Sequence, residues 1–299
     1  SAQAAAASQL RQGAALLGVG TAFAIAGAAG LGFYGSTIKA AVEYNKEVSY
    51  TATQIEDGGN KLKEIGKIGI DVAKQIPAPF KELQSSLYDI FSSTNANLAE
   101  AEVLLTAFAK GAVAGMTDVQ TAGRATISLM NAFKIPFQDV NHIMDVQFQI
   151  VKLGVITYEQ FASTIGRAIP SAIKAGQSME DLGGMIAFMT RNGLSAAQSA
   201  TSAARALDLL SNPQFALNMK NYGIEVTNAE GAFRPMVDIV TDLKKKFGEL
   251  APAQRTLEFL RLGGEGSAAA LKELGINAFD ATGKVRPFDD VSKELGKSL

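Results

Sequence analysis

His142 is the sequence's single histidine, and Asp145 follows it at the i, i+3 spacing that puts both on one helix face. An imidazole beside a carboxylate is half of a metal or acid/base site, and a second histidine or a cysteine is needed to complete it. The chain has no cysteine and no other histidine, so the pair reads as a surface hydrogen bond. Gly263-Gly264-Glu265-Gly266-Ser267 has the glycine content of an anion-binding turn ahead of a helix. It lacks the lysine, the spacing and the preceding strand of a phosphate-binding loop, and it reads as a turn linking two helices. The acidic pairs Glu180-Asp181 and Asp289-Asp290 fall in first turns, and Lys244-Lys245-Lys246 closes a helix. Those are the ends where the helix dipole favours each sign of charge. The lysine run is too short to track a nucleic acid. No nucleophile is paired with a base and no cofactor motif occurs. The sequence therefore predicts no catalytic, cofactor-binding or metal-binding residue, and no enzyme.

Composition sets the frame for the elements. The chain has 299 residues, is 47% hydrophobic and 19% charged, and carries a net charge of −1. That balance allows a packed core and argues against wholesale disorder. It offers no electrostatic reason to bind nucleic acid. Without cysteine there is no disulfide framework. The first residues are Ser-Ala-Gln and the last Lys-Ser-Leu, which suggests a segment of a longer protein.

The stretch from Gly154 to Pro213 organises the chain. It reads as three short helices with a punctuated break before each. Thr157 is a good N-cap for the first, Ser178-Met179-Glu180-Asp181 is a capping-box pattern for the second, and Gly193 with Ser195 ends that helix and caps the third. Apolar residues follow steps of three and four: Tyr158, Phe161, Ile165; then Met179, Leu182, Ile186, Met189; then Ala200, Ala204, Leu207. Pro170 should kink or split its helix.

The same reading extends to both sides. Thr37 to Ser49 is amphipathic, and Asp57-Gly58-Gly59-Asn60 breaks it. Leu62 to Ile76 is a helix ended by Pro77 and Pro79, and Phe80 to Ser92 is another. Leu98 to Ala114 is apolar on most sides and should be buried, with Gly115 as its stop and Thr117 as the next cap. Val119 to Phe133 and Val140 to Val151 follow, separated by Ile135-Pro136 and ended by Gly154. Helices also fit Pro252 to Leu262 and Ser267 to Leu274. No stretch alternates with period two over a useful length. The expected fold is all-α, a succession of short amphipathic helices.

Gln12 to Ile38 has no charged residue and is long enough to cross a bilayer as a helix. It is filled mainly by alanine and holds seven glycines, each costing about 1 kcal/mol in a helix interior. Ala14, Gly18, Ala22, Ala26 and Gly30 recur every four residues and form a ridge of small residues where another helix can approach closely. This favours packing between copies, with marginal ability to enter lipid. It also defines the alternative to a structural role, a membrane-inserting pore-forming or toxin-like helical protein.

Near the other end, residues 223–243 match 275–295 without a gap. Gly223 pairs with Gly275, Ile224 with Ile276, Gly231 with Gly283, Arg234-Pro235 with Arg286-Pro287, and Leu243 with Leu295. Each copy reads as a small turn or hairpin leading into a helix, with Gly231 and Gly283 at positive φ and the proline in the first helical turn.

The order of these features resembles the core region of phage tail tape measure proteins, from about Glu43 to Leu274. The residues that carry the resemblance are Ala109-Lys110-Gly111-Ala112-Val113-Ala114-Gly115-Met116-Thr117, Ala175-Gly176-Gln177-Ser178, Asn192-Gly193-Leu194-Ser195, Leu210-Ser211-Asn212-Pro213, Tyr222-Gly223-Ile224 and Arg234-Pro235. Leu260-Arg261-Leu262-Gly263-Gly264 departs from the Phe-Gly pair that members often carry, Asn141-His142-Ile143-Met144-Asp145 is a loose version of an Ala-Asp pattern, and 57–79 is weakly typical.

The resemblance implies a structural protein of the virion that sets tail length during assembly. It would occupy the tail tube lumen, leave on DNA ejection and help form a passage through the host envelope. It also implies self-association in several copies. The other partners would be the tail tube protein, tail tip or baseplate proteins, tail assembly chaperones and the host membrane, with no sequence-specific nucleic acid. Such a protein is found in the host cytoplasm during assembly and in the virion afterwards. The expected organisation is a hydrophobic helical segment over 1–50, a helical connector over 51–100, the core region over 101–213 and the repeat region over 214–299.

Overall fold

A computed structural model describes residues 30–251, 253–255 and 257–262, with the backbone alone over 30–40. Among these residues the fold is all-α, without a strand; an isolated antiparallel bridge joins Thr227 and Phe233. The described residues belong to two compact units, one covering residues up to 113 with 118–123, the other 114–117 with residues from 124 onward.

The first unit contains α1 (Gly30–Ala52), α2 (Leu62–Gln75), α3 (Phe80–Ser93) and most of α4 (Leu98–Gly115). Asp57 takes a left-handed conformation at the break after α1. Ile76 is extended ahead of Pro77, which ends α2 as the proline rule requires. Ile65, Leu83, Leu87, Ile90, Leu104 and Phe108 are fully buried. Tyr44 stacks on Phe80 and Tyr50 on Tyr88, the latter pair with ring centroids 4.5 Å apart and nearly parallel.

Gln84 interrupts this apolar interior. Its side chain is fully buried against Gly69, and neither its amide nitrogen nor its amide oxygen has a hydrogen-bond partner. A buried amide without partners costs stability. Gln84→Met keeps the shape and removes the polar atoms. It should stabilise the first unit by about 1–2 kcal/mol in urea denaturation, whereas a destabilised variant would show that the amide is satisfied.

The second unit runs through α5 (Val119–Phe133), α6 (Val140–Leu153), α7 (Tyr158–Thr164), α8 (Ile169–Lys174), α9 (Met179–Arg191), α10 (Ala196–Leu210), α11 (Pro213–Asn221) and α12 (Met236–Phe247), with the first turn of α5 in the other unit. Residues 253–255 and 257–262 are helical. The expected caps form at Thr157, Ser178 and Ser195: the capping box expected at Ser178 closes on Asp181, and Thr157 and Ser195 also make capping boxes, with Gln160 and Gln198. Pro170 splits its helix as expected. A 3-10 turn over 165–167 separates α7 from α8, and the proline lies in the first turn of α8. Helix α9 packs against α6 and α10, and every residue from Leu182 to Thr190 is buried. Gly183 makes this possible, because a Cβ there would lie 2.4 Å from Ile150 Cδ1.

Two local expectations change. The cap of α5 is Asp118, whose carboxylate accepts the Thr121 N–H at 2.7 Å, while the Thr117 hydroxyl is buried without a partner. A carboxylate is at least as good an N-cap as a hydroxyl and sits one residue nearer the helix. The turn after α4 is made by Met116, at φ 51°, rather than by Gly115. Gly115 is the last residue of α4, and its missing side chain leaves room for Tyr158: a Cβ would lie 2.7 Å from the ring. Glycine serves close approach there, not an unusual φ.

The hairpin over 224–234 forms. The Asn228 side-chain oxygen accepts from the N–H groups of Glu230 and Ala232, and Gly231 has φ 81°, in the region that favours glycine. The matching segment 275–295, the turn 263–267, the helix expected over 267–274 and residues 12–29 of the uncharged run lie outside the described residues. Among the described residues, no helix is long and apolar enough to cross a membrane.

Candidate functional site

His142 faces Glu180, not Asp145. Its Nε2 lies 3.5 Å from Glu180 Oε1, which ties α6 to the first turn of α9, and both side chains are partly exposed. Sequence spacing cannot show a partner on another helix, and the i, i+3 pair was the only one visible to it. Among the described residues, no group of three His, Asp or Glu side chains could hold a metal ion. The Lys244-Lys245-Lys246 run closes α12, as its charge favours, and Lys245 lies 3.6 Å from Asp242.

Several buried polar side chains of the second unit instead tie helices together. The Thr126 hydroxyl accepts from the Gln147 amide at 3.0 Å, and the Tyr158 hydroxyl donates to the Gln147 side-chain oxygen. Burial pushes the Tyr158 phenol up, so it stays a protonated donor across the physiological range. This chain of contacts links α5, α6 and α7 through groups that satisfy one another, as most buried polar groups do.

Gln177 connects segments far apart in the chain. It sits in the turn between α8 and α9, which Gly176 closes at φ 61°, and it is 4% exposed. Its amide nitrogen donates to Ala175 O at 3.0 Å and to Arg234 O at 2.9 Å, and its oxygen accepts the Met236 N–H at 2.6 Å. One side chain thus fixes the end of the hairpin and the start of α12. Arg234 adds bonds to Glu225 O and to Asp242. Arg255 donates to Phe247 O, Gly248 O and Leu250 O, closing the far end of α12. The sequence marks Ala175-Gly176-Gln177-Ser178 as a turn. A glutamine in a turn carries no signal that it will be buried by a segment almost sixty residues away.

Asp181 gives this region a pH dependence. Its carboxylate accepts from the Ser178 N–H and hydroxyl in the capping box, and burial raises its pKa above the ordinary 3.8 despite those bonds. The folded state therefore binds its proton more tightly than the unfolded chain does. The resulting stabilisation is present below pH 3.8 and is lost as pH rises through the raised value. Thermal unfolding of Asp181→Asn, followed from the ordinary carboxylate range upward, should lack this decline. Identical pH profiles for the two proteins would contradict it.

These arrangements position helices within the second unit. The family described as phage-related minor tail protein matches residues 59–264. A probable tape measure protein of Clostridium phage phiCD119 is 27% identical over 151 residues, covering 50% of this chain and 16% of its own length. The tape measure protein of Pneumococcus phage Dp-1 is 23% identical over 297 residues, covering 96% of this chain and 26% of its own length. The chain thus spans about a quarter or less of the curated relatives it matches. No solved structure matches it.

Proposed function

The chain belongs to the phage-related minor tail protein family, and from that premise we propose that it is a segment of a tape measure protein, which sets the length of the tail during assembly. The observation that carries this reading is the family match over residues 59–264, a stretch that includes most of the capped helix succession. The similarity to two proteins named as tape measure proteins supports it. The buried polar contacts and capping boxes suit a structural rather than a catalytic part.

On this reading several copies lie in the lumen of the tail tube, against the tail tube protein and the proteins of the tail tip or baseplate. Assembly chaperones hold the chain in the host cytoplasm beforehand. On ejection it leaves ahead of the DNA and reaches the host membrane, where the Ala/Gly-rich run helps form the passage. Mass spectrometry of purified tails before and after triggered DNA release tests this. The chain should be present in intact tails and depleted from spent ones. Its retention in spent tails would contradict release, and its absence from intact tails would contradict the whole reading.

A further inference from the structure

We infer that residues 30–262 stay folded as their two compact units inside the assembled tail, and so contribute far less to the length that the protein measures than the same residues would as an extended helix. The inference rests on the tape measure reading and asks which part of the chain does the measuring. An α-helix advances about 1.5 Å per residue, so the same residues drawn into one continuous helix would span about 350 Å. A compact unit of about 100 residues has a radius of gyration of only about 13 Å.

Three observations weigh against the extended form. Pro77, Pro79, Pro136, Pro170, Pro213 and Pro235 all sit at breaks or in first turns. Within a continuous helix each would cost about 3 kcal/mol. Capping boxes at Thr157, Ser178 and Ser195 fix helix starts where a rod would run straight through. Helix α9 is buried on all sides from Leu182 to Thr190, including Met185, Ile186, Phe188 and Met189. A coiled coil offers a narrow seam that covers only one stripe of such a helix, so straightening the chain leaves the other sides exposed.

Two native side-chain pairs report the folded state, one in each unit. The Tyr50 and Tyr88 rings are stacked in the first unit. In the second, Lys174 Nζ lies 3.7 Å from Asp208 Oδ1, with both side chains more than half exposed. In a continuous helix Lys174 and Asp208 would be about 50 Å apart. The experiment applies oxidative dityrosine coupling and zero-length carbodiimide coupling to purified intact tails and to the isolated chain, and reads the cross-linked peptides by mass spectrometry from the band that migrates as a single polypeptide. Both links should form in the isolated chain and equally in tails. Loss of both links in tails that contain the protein would overturn the inference while leaving the tape measure reading intact. Absence of the protein from tails would instead overturn the reading on which the inference rests.

Discussion

Truncating Tyr158 to alanine should destabilise the second unit by about 3–5 kcal/mol, the range for removing a buried aromatic side chain. The residue is 2% exposed. Its ring stacks on Phe148 at 5.0 Å, packs against Phe161 and fills the space left by Gly115. Its hydroxyl donates to Gln147, which in turn donates to Thr126. Tyr158→Phe separates the two contributions. It keeps the ring and leaves the Gln147 oxygen without its donor, so its loss should be about 1–3 kcal/mol. Urea denaturation of the three proteins gives both values. Equal losses for the alanine and phenylalanine variants would place the stability in the hydroxyl and contradict the packing account.

Replacing Gln177 with leucine should cost about 2–4 kcal/mol, because the change leaves the Met236 N–H and the Arg234 carbonyl without their partner in a buried setting. The loss should be local. Amide exchange should accelerate over the hairpin and the first turns of α12, while α9 and α10 keep their protection. Gln177→Glu adds a second diagnostic. It retains the acceptor for Met236 but places a charge in a buried turn, so it should be poorly stable at neutral pH and recover as acidification protonates it. Uniform loss of protection across the second unit would mean that Gln177 does not act through the hairpin.

Local chemistry explains how much of this was legible in the sequence. Helix caps are written within a few residues, and Thr157, Ser178 and Ser195 cap their helices where the sequence placed them. Pro170 and the Gly231 turn follow from rules about single residues, so they too were readable. Gly115 does end its helix, but Met116 makes the turn, and the need for glycine depends on a ring more than forty residues away. The Gln177 and His142 contacts were missed for the same reason. Each depends on which helix lands opposite, which a single chain's periodicity does not encode.

The central claim is that the protein sets tail length, and the most direct test is the length of the tail itself. The phage should be given a full-length protein carrying about 70 additional helix-forming residues outside the segment matched by the family, and its tails measured by electron microscopy. The account predicts tails longer by about 105 Å, the rise of that many helical residues, with an otherwise normal morphology. Well-formed tails of unchanged length, carrying the enlarged protein, would contradict it.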